Sequence, residues 1–112
     1  MFPKINRFET RLGEDFFASA KRVYSSLFIL YYQNRDDNQV KATVIVPKKN
    51  VFKATGRSKI KRRMRSALIP HLSNLEGLNV VLYIKTKITQ KNEEKSLNRF
   101  EEEIEFLVKK IK

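Results

Sequence analysis

Apolar residues recur at Ile60, Met64, Ala67, Leu68 and Leu72, so that one side chain after another falls on the same face of an α-helix. The spacing predicts a helix that begins after Gly56. Pro70 removes an intrahelical hydrogen bond and clashes with the preceding turn, so a kink or a helix end is expected near Leu68. A second stripe, Leu97, Phe100, Ile104, Leu107, Val108 and Ile111, predicts a closing helix over Glu93–Lys110. Glu93 and Glu94 open it and lysines end it, as the helix dipole favours.

Strand patterns lie between these helices. Val23–Gln33 is rich in aromatic and branched residues and reads as one strand, with Phe28, Leu30 and Tyr32 on one face and Leu27, Ile29 and Tyr31 on the other. The turn cluster Asn34–Asn38 leads to a second strand, Gln39–Val46, expected to pair antiparallel with the first as a hairpin. Pro47 ends that strand. Val51–Lys53 is a third short strand or a loop, and Leu78–Lys85 is a buried strand. Upstream, Gly13, Glu14 and Asp15 open a short helix that carries Phe16 and Phe17 to about Lys21. Residues 1–11 read as an irregular arm. The order α-β-β-(β)-α-β-α predicts an α+β fold, a small mixed β-sheet packed with helices.

Charge changes the picture of the first helix. Six of the nine residues from Arg57 to Arg65 are Lys or Arg, with no acid between Lys53 and Leu75. Ordinary solvated faces mix signs to avoid repulsion between residues four apart. Here Lys59, Arg62 and Arg65 point away from the stripe, with Lys61 and Arg63 at its flanks. The whole chain of 112 residues carries 24 Lys and Arg against 12 Asp and Glu, a net charge of +12. That surplus implies a polyanionic partner and salt-dependent association. The length fits a single domain over residues 1–112.

Other chemistries lose support. Without cysteine, disulfides and thiolate zinc sites are excluded. No apolar run is long enough to span a bilayer and Met1-Phe2-Pro3-Lys4 opens no signal peptide, so a cytoplasmic protein is expected. His71 has no Ser, Cys or acid arranged around it in sequence, and reads as a packed, hydrogen-bonded side chain. Glu101, Glu102, Glu103 and Glu105 read as a solvated helix exterior, because no His or Asp joins them at ligand spacing. No catalytic residue, no metal site and no obligate protein partner is evident.

Several pieces in this order resemble one family. They are Glu14-Asp15-Phe16, Phe28-Ile-Leu-Tyr31, Lys48-Lys49, the run Arg57-Ser-Lys-Ile-Lys-Arg-Arg-Met-Arg65, a strand ending in Lys85, and a terminal amphipathic helix. The chain resembles the protein component of bacterial ribonuclease P over nearly its whole length. Ser58 and Lys59 depart from the family's Arg-Asn-Arg signature, and Pro70 falls where the family continues a helix. The resemblance implies a ribosomal protein S5 domain 2-like fold with a left-handed βαβ crossover. It implies a protein without catalytic side chains, bound to a catalytic RNA that cleaves the 5′ leader from precursor tRNA with Mg²⁺. It also implies that Arg57, Lys59, Lys61, Arg62 and Arg65 contact the RNA subunit, and that Phe16, Tyr31, Lys48 and Lys85 contact the leader. A physical argument runs alongside, since an aromatic beside cations suits a single strand with unstacked bases. The alternative is a ribosomal-type structural RNA-binding protein with no role in processing. A major-groove DNA reader is disfavoured by the lack of Asn and Gln on the basic helix.

Overall fold

The computed structural model describes residues 17–51 and 53–111. The arm over residues 1–11, the start of the first helix and Phe16 lie outside them; residues 17–19 are helical. Four strands follow in one sheet, β1 (Lys21–Tyr24), β2 (Phe28–Asn34), β3 (Lys41–Ile45) and β4 (Leu78–Ile84). Helix α1 (Ala54–Leu68) and a 3-10 helix (Ile69–Leu75) connect β3 to β4, and α2 (Glu93–Asn98) and α3 (Phe100–Ile111) close the chain. The sheet order is β1-β2-β4-β3, with β2 antiparallel to both neighbours and β3 parallel to β4.

Three expectations are corrected. The stretch Val23–Gln33 is two strands, because Ser25–Leu27 reverses the chain. The Ser25 amide donates to the Phe28 carbonyl at 2.9 Å, and the Phe28 amide donates to Ser25 Oγ at 3.1 Å. Serine side chains offer the backbone such alternatives to a continuing ladder. The hairpin between β2 and β3 does not form either; β4 lies between them. β4 buries Val80, Leu82 and Ile84 on one face and Val81 on the other, and a strand apolar on both faces belongs at the centre of a sheet. The link from Arg35 to Val40 therefore straddles two strand spacings, roughly 10 Å. Finally, the closing helix breaks at Arg99 into α2 and α3.

Gly77 makes the straddling link possible. Its amide donates to the Gln39 carbonyl at 2.9 Å and its carbonyl accepts from the Arg35 amide at 2.7 Å, at φ of 82°. A residue with a Cβ rarely adopts that conformation. The Arg35 guanidinium also holds Asp37 at 2.8 Å and Asn79 Oδ1 at 2.7 Å. The hydrogen bond from Arg35 brings the Asp37 carboxyl down to about 2.

The core fills one face of the sheet. Ile60 and Met64 of α1, and Phe100, Ile104 and Leu107 of α3, are fully buried against it. Phe28 meets Phe100 edge-on at 4.9 Å between ring centroids. Burying each such side chain contributes about 1.5–3 kcal/mol. As expected from Pro70, α1 ends at Leu68, and Pro70 sits in the first turn of the 3-10 helix where no N–H is needed. Val51 and Lys53 lie in bends, so this stretch is loop at its described residues.

Candidate nucleic-acid interface

Because Ile60, Met64, Ala67 and Leu68 anchor α1, its cations are forced to the other side. Lys59 and Arg62 are exposed, while Arg57, Lys61, Arg63 and Arg65 are half-buried. They are not equivalent. Lys59 Nζ lies 3.4 Å from Glu93 at the start of α2. Arg63 donates to the Leu97 carbonyl at 3.1 Å and pairs with Glu101 at 3.4 Å, spanning the break between α2 and α3. Its buried Nε has no hydrogen-bond partner among the described residues. Arg57 donates to the Val51 carbonyl at 3.1 Å, tying the start of α1 to the preceding loop. Among the described residues Lys61, Arg62 and Arg65 make no side-chain hydrogen bond or ion pair, which leaves their charges available.

Among the described residues, the opposite face of the sheet is met by Phe17 and Ala20 rather than by α1 and α3. Strand alternation brings Arg22 and Tyr24 of β1, Ile29 and Tyr31 of β2, Ile45 of β3, and Val81 and Tyr83 of β4 to this side. A groove of about 640 Å³ runs over it, lined by Phe17, Ile29, Tyr31, Ile45, Tyr83, Asn50, Lys49 and Lys85. Phe17 stands edge-on to Tyr31 at 4.8 Å, and Tyr83 edge-on at 6.4 Å. The Arg22 guanidinium lies over the Tyr31 ring at 5.4 Å and donates to the Phe17 carbonyl at 3.3 Å. Asn50 closes the groove's end. Its Nδ2 donates to the Ile84 carbonyl at 2.9 Å, and its own carbonyl accepts from the Ile88 amide at 2.9 Å.

The reversal at Ser25–Leu27 joins α3 to the end of β4. Glu103 of α3 reaches under it and is almost wholly buried. Its carboxylate accepts from the Leu27 amide at 2.8 Å, from Ser26 Oγ at 2.5 Å and from Arg99 at 2.6 Å. Burial pushes its pKa up, but hydrogen bonds from Ser25, Ser26 and the Leu27 amide, with the Arg99 charge, bring it net below the usual carboxylate range. The same turn holds the end of β4, where the Lys85 amide donates to the Leu27 carbonyl and Thr86 Oγ1 to the Ser26 carbonyl, each at 2.9 Å.

The family model described as Ribonuclease P matches residues 3–112. The chain belongs to the ribonuclease P protein family. A ribonuclease P protein component from Marinomonas sp. (strain MWYL1) is 32% identical over 92 residues, covering 82% of this chain and 70% of that one. The fold is similar to that of the Staphylococcus aureus RNase P protein, with a TM-score of 0.77 at 20% identity, 97% of each chain being covered. It is similar too to the RNase P protein from Thermotoga maritima, with a TM-score of 0.76 at 20% identity over 95% of this chain and 97% of that one. As a ribonuclease P protein the chain is a component of a tRNA-processing ribonucleoprotein and a partner of its RNA subunit. The ribosomal-type alternative is not favoured.

Within this ribonuclease P protein the residues singled out from sequence fall as follows. Tyr31 and Lys85 meet in the groove. Lys48 is exposed but does not line it; Lys49 does. Phe16 lies outside the described residues. Of the helix cations, Arg57, Lys61, Arg62 and Arg65 share α1, and Lys59 is drawn toward Glu93. Sequence reasoning missed Arg22, Asn50 and Tyr83, and it placed Glu103 on the solvated exterior. Spacing was the available signal for Glu103, which stands three residues after Phe100 and four before Leu107, on the edge of the stripe. His71 is half-buried in the 3-10 helix and makes no side-chain hydrogen bond among the described residues. No three His, Asp or Glu side chains cluster as a metal cage among the described residues, and no helix there is long and apolar enough to cross a membrane.

Proposed function

We propose that this chain, as one RNA-binding domain in the cytoplasm, works on two RNAs through two faces. The cations of α1 hold the catalytic RNA subunit. The groove on the sheet face around Val81 holds the single-stranded 5′ leader of precursor tRNA. The RNA subunit supplies the Mg²⁺-dependent cleavage, and this protein's side chains supply binding and orientation. One observation carries the reading: the groove joins aromatic walls, Phe17, Tyr31 and Tyr83, to rim cations, Lys49 and Lys85, on the sheet face away from the helix core. Aromatic walls with flanking cations recognise unstacked bases on a charged backbone. The segment Pro47–Val51 links the two faces, since Asn50 lines the groove and Val51 receives Arg57.

The test is reconstitution with a bacterial ribonuclease P RNA and precursor tRNA. Mg²⁺-dependent release of the 5′ leader should require both components. Tyr31→Ala removes the floor of the groove, on which Phe17, Tyr83 and Arg22 close, and should lower affinity for precursor tRNA. Mature tRNA and the RNA subunit alone should bind as before. Equal losses on leadered and leaderless substrates would count against the leader assignment.

A further inference from the structure

Tyr31 is a poor candidate for an open stacking surface. Arg22 lies over its ring at 5.4 Å, and Phe17 and Tyr83 close on it edge-on at 4.8 Å and 6.4 Å. It packs with the small apolar cluster around Val81. The neighbouring aromatic on the same sheet face is built differently. Tyr24 of β1 is 49% exposed, one of two large apolar side chains so open among the described residues. Lys85 Nζ stands 5.7 Å from its ring centroid, and Lys85 is itself a wall of the groove. Across the β1–β2 ladder Tyr24 pairs with Ile29, which also lines the groove.

An isolated exposed tyrosine needs no explanation. This one is continuous with the groove, carries a cation over its ring, and is placed by the same turn that places that cation. Tyr24 leads into Ser25, and the Lys85 amide is tied to the Leu27 carbonyl at 2.9 Å. Ring and ammonium are therefore held in register by backbone. The register sets Tyr24 two residues beyond Arg22, the partner of Tyr31, so the two tyrosines are diagonal neighbours roughly 8 Å apart by strand rise and spacing. A base against Tyr24 is then a different base from one lodged in the groove.

We propose that Tyr24 and Lys85 form a second stacking station for the single-stranded RNA leader, at the β1 edge of the sheet beyond the groove. This rests on the leader assignment proposed above. Tyr24 offers the aromatic surface for one base, and the Lys85 ammonium meets a phosphate of the same strand. Tyr31, enclosed by Arg22, Phe17 and Tyr83, serves as the floor that shapes the path.

The experiment uses the reconstituted complex of RNA subunit and protein, with precursor tRNA carrying 2-aminopurine at single leader positions. Stacking on a tyrosine quenches this fluorophore. Wild type should bind leadered substrate more tightly than leaderless and quench one leader position beyond those in the groove. Tyr24→Leu keeps an apolar side chain without a ring. It should weaken leadered binding by about 5- to 150-fold, the equivalent of one lost base stack. It should also restore the fluorescence at that one position and leave leaderless binding unchanged. Tyr24→Phe should behave as wild type in both readouts. If wild type prefers leadered substrate but Tyr24→Leu binds and quenches equally well, the station is refuted and the leader groove stands. Equal losses on both substrates also refute it. If wild type shows no preference for the leader, both proposals fall.

Discussion

The buried Glu103 carboxylate can be removed in two ways that separate its roles. In Glu103→Ala the Leu27 amide, buried and bonded to Glu103 at 2.8 Å, loses its acceptor. A buried donor left without a partner costs about 1–3 kcal/mol. Loss of roughly one buried methylene adds about 0.8 kcal/mol. The expected destabilisation is about 2–4 kcal/mol, a large share of the 5–15 kcal/mol typical of small domains. Glu103→Gln keeps the shape and one acceptor for the Leu27 amide but loses the charge opposite Arg99, which is half-exposed, so a smaller loss of about 1–2 kcal/mol is expected. The charge has a pH signature. The folded-state pKa of Glu103 lies below that of the unfolded chain, so its stabilising contribution is complete above the unfolded value, about 4.3, and is lost as pH falls through the folded value. Urea denaturation of wild type and Glu103→Gln should differ at pH 7 and converge in acid once the pH has fallen below the folded value. A difference that stays constant from pH 7 into acid would refute the account, as would a Glu103→Ala variant as stable as wild type.

Arg62→Ala and Arg65→Ala should each weaken binding to the RNA subunit and reduce the slope of log K against log salt by roughly one unit, with little change in melting temperature. Arg63→Ala should do the reverse, lowering the melting temperature while leaving the salt slope unchanged, because its guanidinium is committed to Leu97 and Glu101. Ile60→Ala and Met64→Ala remove fully buried side chains and should cost about 2–5 kcal/mol in chemical denaturation. Retained stability in both would mean that the helix presents another face to the core.

Elements with a strong single periodicity were legible without coordinates. The α1 stripe, its stop before Pro70, and the buried β4 all follow from local patterns of apolar residues. What local pattern does not carry is pairing. Asn34–Asn38 has the composition of a hairpin turn, yet the chain there crosses the end of β4, because a distant strand competes for the central place. Tyr24 was hidden inside an apparently continuous strand, and only the serines at Ser25 and Ser26 hinted at the reversal. Glu103 looked solvated because its neighbours Glu101, Glu102 and Glu105 are, though helical spacing sets it beside Phe100 and Leu107. The basic helix was legible as a charge run, but the division between cations held by α2 and α3 and those left open depends on partners some 30 residues or more away.

The place of β4 between β2 and β3 has a consequence for how the protein is made. A ribosome delivers β1, β2 and β3 first, yet within this sheet β3 has no partner until residues 78–84 have emerged. The first hairpin meanwhile presents the β2 edge that β4 will later fill. The nascent chain must therefore wait, with α1 and its cations already exposed to whatever RNA is near. Closure depends on contacts distant in sequence, and such topologies gain their sheet slowly. Completion of the sheet then comes late, followed by the docking of α3 with Glu103 under the Ser25–Leu27 turn. A truncation before α3 would strip the β1–β2 turn of that anchor while leaving every strand in place in the sequence.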